Sequence, residues 1–421
     1  MVKVLKKFFY RKSVRDFLLL LTENISTKGI NLLLIAILAR QLGPTGYGEY
    51  SLMNVCIMFL VPFLDFGMEN GAVRYSVKYT EYRSSIFGLY IFAKTVVYCL
   101  VLGSFFVFPA LPQMILRKAV IGVYIPIIVT GVIIDGYTFI YATFLQSQEK
   151  FLQRMSRNIV VFLIRLFAIT FALKIGMTSI SLLGWLFALA GFPVLLFFSF
   201  KMSSFVKAFV SLPIPRQVVA ELFKYWKWFF IGSIAVNLLA RLDFFMVARF
   251  LDLKEMGLYN AAFQLVSPFS MLSFVFGTVF LPKVSRFTTI DEVKKFVHKS
   301  MRFGSAIFLC ALFSIFLAKP AVIVLFGAKF TESIPVLQVL LISFAISLWT
   351  GMLAPAFYAL EKPKYLFLAT YLQFGISVCA MPVLIPQFGM FGAAWSNVAA
   401  QCGKLILLVF FVKQLRAGEV M

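Results

Sequence analysis

The chain has 421 residues, of which 61% are hydrophobic, 17% aromatic and only 14% charged, and its mean hydropathy is +0.93. Soluble domains are about half apolar, so this composition excludes a water-soluble fold and most soluble enzymes, and 5 Cys are too few for a disulfide scaffold. The formal net charge of +23 therefore needs an explanation in a membrane protein.

The apolar runs predict an all-α integral membrane protein with about twelve transmembrane helices, since each crossing takes roughly 20 residues. The basic N-terminus precedes a long apolar run without an A-x-A-like cleavage site, which indicates a retained first helix rather than a signal peptide. The predicted spans are 16–39, 49–66, 85–108, 119–145, 156–174, 179–200, 226–249, 257–281, 302–325, 334–360, 365–385 and 390–413.

The loops between these spans differ in charge. Most of the 40 Lys and Arg residues fall in the N-terminus and in every second loop after it. The positive-inside rule then predicts a multi-pass protein of the cell membrane with both termini in the cytoplasm. Because these loops face anionic headgroups, membrane lipids are the expected partners of the charge, and no nucleic-acid partner is needed.

A short motif recurs at half the chain length. Ala39-Arg-Gln-Leu42 followed by Gly48-Glu-Tyr50 is echoed by Ala248-Arg-Phe-Leu251 followed by Gly257-Leu-Tyr259, with the same spacing. The repeat predicts two pseudo-symmetric six-helix lobes of the same orientation, and folds of this kind commonly hold substrate between their halves.

The predicted domains follow from this repeat. An N-terminal lobe covers 1–200 and a C-terminal lobe covers 226–421. Between them, 201–225 is predicted to be a cytoplasmic or interfacial linker, because Pro213 and Pro215 interrupt an amphipathic pattern.

Motifs of enzymes are missing from the sequence. There is no D-x-D, H-E-x-x-H, P-loop or G-x-S-x-G pattern. The one histidine, His298, lies among lysines of a predicted cytoplasmic helix start, and we interpret it as a solvated residue. The cysteines lie in apolar runs without ligand spacing and are expected to pack. We therefore expect no catalytic residue, no metal, no cofactor and no enzymatic activity.

Polar side chains inside the predicted spans are the remaining functional signal, because they are costly in a bilayer and usually face a bundle interior or a hydrated cavity. Three of them recur at i, i+4 and i+7 on one face of the first helix, and shorter rows of polar residues lie on one face of the seventh and of the eighth. The candidate substrate-binding residues are Asn24, Lys28, Asn31, Arg165, Asn237, Arg241, Asn260 and Gln264.

Acidic residues inside the spans are candidates for ion coupling or for pairing with these cations. The alternative for the whole polar set is structural, because Asn and Gln bond between helices and basic groups pair with acidic ones. Lys94 also has a side chain long enough to snorkel, and Arg241 is two positions from the nearest carboxylate, so it needs a separate partner. The acidic candidates are Glu23, Asp65, Asp135 and Asp243.

Loop and helix-end motifs recur along nearly the whole chain, at Ala39–Tyr50, Leu64–Gly67, Gly257–Ala262, Leu281–Ser285, Leu325–Gly327, Ala359–Pro363 and Phe388–Ala394. These segments resemble the polysaccharide exporter branch of the multidrug/oligosaccharidyl-lipid/polysaccharide superfamily. The resemblance implies a MATE-like fold, with the first and second helices facing the seventh and eighth across a central cavity. It also implies flipping of a polyprenyl-pyrophosphate-linked oligosaccharide from the cytoplasmic to the outer leaflet.

The expected function is thus a flippase for polysaccharide biosynthesis that works by alternating access around a cationic cavity, with the lipid-linked oligosaccharide as substrate. A polysaccharide polymerase or glycosyltransferases are expected partners, and Pro62, Gly67 and Pro268 are candidate bends. Two alternatives stay open: a cation-coupled multidrug exporter of the same fold, which would use the acidic residues, and a non-transporting membrane partner of a glycan synthase complex.

Overall fold

The computed structural model describes residues 12–108, 110–212, 214–269, 308–359 and 364–416, with the single positions 292, 295, 302, 304, 305 and 362. Apart from short turns, these residues are helical, and none of them lies in a strand. His298 and the segment 281–285 lie outside the described residues.

Fifteen α-helices have defined bounds among the described residues. In chain order they are α1 (Lys12–Phe63), α2 (Met68–Lys78), α3 (Arg83–Val107), α4 (Ala110–Leu116), α5 (Ile121–Ser147), α6 (Phe151–Lys174), α7 (Ile180–Leu189), α8 (Phe192–Ser211), α9 (Arg216–Leu239), α10 (Leu242–Phe250), α11 (Leu253–Val266), α12 (Ala318–Phe326), α13 (Ser333–Ala359), α14 (Lys364–Phe388) and α15 (Met390–Arg416).

Within the described part, 8 helical stretches are long and apolar enough to cross a membrane. The difference from the predicted twelve has three sources. The first two predicted spans correspond to the two helical parts of α1, which meet at a kink with non-helical backbone at Gly43. The seventh span is split between α9 and α10, and the eighth and ninth extend beyond the described residues.

Glycine permits two breaks in helical backbone near the start of the chain. Gly43 has φ 69° inside α1, and Gly67 has φ 75° in the turn between α1 and α2. Backbone of this kind favours glycine because it has no Cβ. The predicted bend at Gly67 is therefore confirmed, while Pro268 lies in the 3-10 turn Ser267–Phe269 that follows α11.

The described chain forms two compact units. The first runs to Ile37 and continues from Tyr50 to Asn237, and the second contains Leu38–Glu49 and the chain from Leu238 onward. A short piece of α1 thus belongs to the second unit. The boundary after which the rest of the chain belongs to this unit lies near the end of α9. The linker predicted over 201–225 covers the end of α8 and the start of α9.

An aromatic core holds the first unit together. The ring of Phe144 lies 4.7 Å from that of Phe205 and 5.2 Å from that of Phe87, and the three side chains are buried. The α2 helix is fixed to α9 because the Trp226 indole N–H donates to the Met68 carbonyl at 3.1 Å. Large apolar side chains that stay exposed, such as Phe200 at 76%, suit a lipid environment.

Candidate functional site

The first polar cluster surrounds Glu23, which is 6% exposed on α1. Arg154 of α6 places its Nε 3.5 Å from Glu23 Oε1, and the Asn158 amide donates to the same oxygen. Arg154 also donates to the Gln146 side chain, and Arg157 donates to Asn158. Arg154 thus contacts the carboxylate directly, while Arg157 is linked to it through Asn158.

The predicted line of Asn24, Lys28 and Asn31 lies on α1 beside this cluster in sequence, and all three side chains are partly buried. The Asn24 amide donates to the Leu20 carbonyl at 2.8 Å, so it bonds to its own helix. The line keeps the one-face spacing predicted from the sequence. Its role in substrate binding stays a prediction.

The second polar cluster is a fully buried ion pair. Lys94 and Asp65 are 0% and 3% exposed, and Lys94 Nζ lies 2.9 Å from Asp65 Oδ1. The Tyr90 hydroxyl donates to the same oxygen, and the Glu69 backbone N–H donates to Oδ2 at 2.9 Å. Lys94 therefore points inward to a carboxylate rather than snorkelling, and Asp65 is one of the carboxylates that pair with a cation.

The third cluster joins Asp135 on α5 to Arg165 on α6. Arg165 Nη2 lies 2.8 and 2.6 Å from the two Asp135 oxygens, and Nε donates to the Phe187 carbonyl at 3.2 Å. The guanidinium also lies 3.9 Å from the centre of the Phe187 ring. Arg165 is 2% exposed, so the structure places this predicted substrate ligand in an internal charge pair. Substrate binding by Arg165 remains a prediction.

The fourth cluster, in the second unit, surrounds Asp243 at the start of α10. One carboxylate oxygen accepts the Phe244 backbone N–H at 2.8 Å. The other accepts the Tyr259 hydroxyl at 2.7 Å and the Asn397 amide at 3.0 Å. Asp243 is 3% exposed, and its negative charge is met by neutral donors.

Arg241 lies in the short break between α9 and α10. Its direct contact differs from those of Asp243, as the two-residue spacing predicted. Its guanidinium lies 4.6 Å from the centre of the Phe263 ring. In the part of the chain that the structure describes, its buried Nη1 has no hydrogen-bond partner. Arg241 thus combines a positive charge, a partly buried side chain and an unused buried donor atom.

The predicted pair on α11 is buried next to this region in sequence. Asn260 and Gln264 are 2% and 6% exposed. The Asn260 amide donates to the Tyr47 hydroxyl at 2.9 Å, while its Oδ1 has no hydrogen-bond partner within the described ranges. Asn237, the remaining candidate, is partly buried near the end of α9 and belongs to the first unit.

Some residues of these clusters were not predicted. Arg154 is assigned to a cytoplasmic loop by hydropathy, yet α6 begins at Phe151 and carries it. A signal was present, since Arg154, Asn158 and Arg165 recur at i, i+4 and i+11 on one helical face. Tyrosine hydroxyls gave no such signal, because tyrosine is counted among the apolar residues of a span.

Buried charges inside long apolar helices define the class first: the chain is a multi-pass, all-α membrane protein. The model of a family described as polysaccharide biosynthesis protein matches residues 13–288, which is more than half of the chain. The chain belongs to this family, which confirms the resemblance drawn from the sequence motifs.

Solved structures of similar fold are membrane transporters. The lipid II flippase MurJ in an inward closed conformation superposes with a TM-score of 0.71 at 15% identity, over 95% of this chain and 87% of that chain. An inward-facing multidrug resistance MATE family transporter of the MOP superfamily gives a TM-score of 0.68 at 13% identity, over 95% and 96% of the two chains. The predicted MATE-like fold is confirmed.

A curated relative covers less of the chain. The probable lipid II flippase MurJ of Bdellovibrio bacteriovorus is 29% identical over 171 residues, which are 38% of this chain and 33% of that protein. The chain therefore matches about a third of the length of this relative.

Proposed function

We propose that the protein is a flippase, not an enzyme, which moves a polyprenyl-pyrophosphate-linked oligosaccharide from the cytoplasmic to the outer leaflet. Family membership and a fold shared with a flippase and with MATE transporters support this proposal. A pyrophosphate carries about two negative charges, which cannot cross roughly 30 Å of hydrocarbon without a protein path.

The observation that best supports an anionic substrate is the unequal pairing of the buried charges. Each of the four predicted acidic residues is ion-paired or hydrogen-bonded within its own unit. Among the described residues, unpartnered buried donors are nevertheless found on three arginines, at Arg241 Nη1, Arg154 Nε and Arg157 Nε, against two carboxylate oxygens without a partner, Glu23 Oε2 and Asp16 Oδ1. An unused buried donor costs free energy until an acceptor arrives, so the imbalance favours an anionic headgroup over the cationic drug of the alternative exporter.

Lys28 and Arg241 are the cations that we propose to bind the pyrophosphate. Arginine can offer two parallel N–H donors to phosphate oxygens, while lysine acts as a point charge. The amides of Asn24, Asn31, Asn237, Asn260 and Gln264 are proposed to contact sugar hydroxyls.

The proposal includes the setting of the protein. The distribution of cations in the loops supports cytoplasmic termini in the cell membrane. Membrane lipids surround the helices, and a polysaccharide polymerase or glycosyltransferases are the proposed partners that supply the substrate or use the product.

The test is flipping in liposomes by Arg241→Ala, with a fluorescent lipid-linked oligosaccharide scored on the far leaflet. A lost hydrogen bond to a charged group is worth about 1.5–3 kcal/mol, so the rate at limiting substrate should fall by about ten- to a hundredfold. Arg241→Lys should retain partial function because it keeps the charge. The matched control is Arg216→Ala, which removes an exposed arginine at the start of α9 and should flip like wild type.

All three variants are first compared with wild type by membrane fractionation and thermal melting. A folded Arg241→Ala protein that flips at the wild-type rate would contradict the proposed role of this cation. Transport of a cationic dye without transport of the oligosaccharide lipid would support the multidrug exporter instead.

A further inference from the structure

Two buried polar atoms of the second unit lack a partner, and they are chemically complementary. Arg241 Nη1 is a donor and Asn260 Oδ1 is an acceptor, and neither makes a hydrogen bond within the described ranges. Both residues belong to the unit that contains Leu38–Glu49 and the chain from Leu238 onward. Unpaired buried polar atoms cost free energy, so a donor and an acceptor kept unpaired in one region call for a ligand or a water.

Contacts place these two atoms around one tyrosine. The Asn260 amide nitrogen donates to the Tyr47 hydroxyl at 2.9 Å, and the guanidinium of Arg241 interacts electrostatically with the same tyrosine. That guanidinium also lies 4.6 Å from the centre of the Phe263 ring. Phe263 is three positions from Asn260 on α11, so their side chains are neighbours on the helix surface. We call Arg241, Asn260 and Tyr47 the donor–acceptor site.

Arg241 is the part of the donor–acceptor site that a ligand meets first. Tyr47 and Asn260 are 1% and 2% exposed, whereas Arg241 is partly exposed. The oxygens of the nearby Asp243 accept from other donors, one from the Phe244 N–H and one from a tyrosine and an asparagine. A ligand that approaches Arg241 therefore finds its Nη1 unused, with the Asn260 oxygen beyond it.

We propose that the donor–acceptor site recognises the first sugar of the headgroup, at the carbon next to its bond to the pyrophosphate. The proposal rests on the proposed function. Arg241 binds a pyrophosphate oxygen, and Asn260 Oδ1 accepts a hydrogen bond from the hydroxyl or amide N–H on the second carbon of that sugar. Tyr47 is a positioning residue, because its bond to the amide nitrogen leaves Oδ1 for the ligand.

The geometry of a sugar singles out the second carbon. The anomeric carbon, which carries the pyrophosphate, has two neighbours in the ring, the second carbon and the ring oxygen. Only the substituent of the second carbon can donate a hydrogen bond so close to the phosphate. A site with a buried unpaired acceptor discriminates well against an analogue that lacks the donor, because the acceptor then stays unpaired in the complex.

The test compares two fluorescent lipids that differ in one substituent. Both carry glucose through a pyrophosphate on the same polyprenyl chain, with either a hydroxyl or a fluorine on the second carbon, since fluorine cannot donate. We expect wild type in liposomes to flip the hydroxyl lipid about tenfold faster at limiting substrate. The matched control has its fluorine on the fourth carbon, away from the pyrophosphate, and should lose clearly less. Equal losses for the two fluorinated lipids would overturn the proposal.

Variants assign the preference to a residue. Asn260→Leu removes the acceptor at similar volume, and it should flip the hydroxyl lipid and the lipid fluorinated on the second carbon at the same rate. Tyr47→Phe should weaken the preference without abolishing it. Asn260→Ser is measured alongside, so that a folded variant of either kind decides the assignment. A folded Asn260 variant with the wild-type preference would overturn the proposal. A wild type without preference would do so too, because a buried water would then be the partner of both atoms.

A binding measurement separates the donor–acceptor site from the proposed function. Thermal melting of wild type in detergent, with each glucose lipid in turn, reports binding without flipping. A larger rise in melting temperature with the hydroxyl lipid, in a protein that flips neither lipid, would support the site and contradict the proposed function. Equal rises together with equal flipping of both lipids would overturn the site alone.

Discussion

Asp65 and Lys94 form a buried ion pair, and removing Asp65 should lower the free energy of unfolding more than removing Lys94. Removing one partner of a buried ion pair costs about 3–5 kcal/mol, because the other charge stays buried and unpaired. Without Lys94, the carboxylate keeps two donors, the Tyr90 hydroxyl and the Glu69 N–H. Without Asp65, the described neighbours left to Lys94 are aromatic rings, with centres 5.1–5.8 Å from Nζ, and the Glu69 carboxyl group, which interacts with it electrostatically but makes no ion pair.

Lys94→Met is therefore expected near the lower end of that range and Asp65→Leu near its upper end. At about 2–4 °C per kcal/mol for a domain of this size, the melting temperature should fall by about 6–12 °C and about 10–20 °C. The assay is thermal unfolding in detergent followed by circular dichroism. The double variant should be more stable than Asp65→Leu alone, because no unpaired charge remains.

The matched control is Lys404→Met, which removes another lysine within a spanning helix. Lys404 donates to the neutral Gln373 side chain at 3.0 Å, so its loss leaves no charge behind and should cost only about 1 kcal/mol. Losses that simply add in the double variant, or an Asp65→Leu protein as stable as Lys404→Met, would refute the reasoning.

Two further predictions concern single residues of the first unit. Burial, and after it the negative charge of Asp65, raises the pKa of Glu69 to about 7; Glu69 lies on α2, outside the eight spanning stretches. Between about pH 4.5 and 7, the folded protein then keeps a proton that the unfolded chain has released. The melting temperature should therefore fall as pH rises through this window. Glu69→Gln should remove this pH dependence. Arg165→Lys should lose the two-oxygen contact to Asp135 and lower the free energy of unfolding by about 1–3 kcal/mol. Arg165→Met should be less stable still, because the carboxylate is left unpaired. Equal melting temperatures for wild type and both variants would contradict this prediction.

Much of the fold could be predicted, because hydropathy and loop charge report directly on bilayer crossing. Helix continuity could not be predicted everywhere in the same way. The kink at Gly43 lies between the first two predicted spans, but the chain also breaks at Arg241, a good helix former, inside the predicted seventh span. This break depends on packing that a single-helix pattern does not contain.

The candidate site was predictable as a set of polar side chains, but their pairing was not. Two residues apart in sequence, Arg241 and Asp243 make different direct contacts, although their charges still interact. The partners of Asp243, however, come from α11 and α15, at Tyr259 and Asn397. Such long-range contacts leave no local trace, and a tyrosine within an apolar run reads as packing rather than as a hydrogen-bond donor.

The central claim is that the protein moves an anionic, lipid-linked sugar headgroup across the bilayer. The most direct measurement reconstitutes wild-type protein in liposomes with two fluorescent lipids that carry the same sugar, one through a pyrophosphate and one without any phosphate. We predict that only the pyrophosphate lipid appears on the far leaflet faster than in protein-free liposomes. Equal rates for both lipids, or no rate above the protein-free level, would contradict the claim.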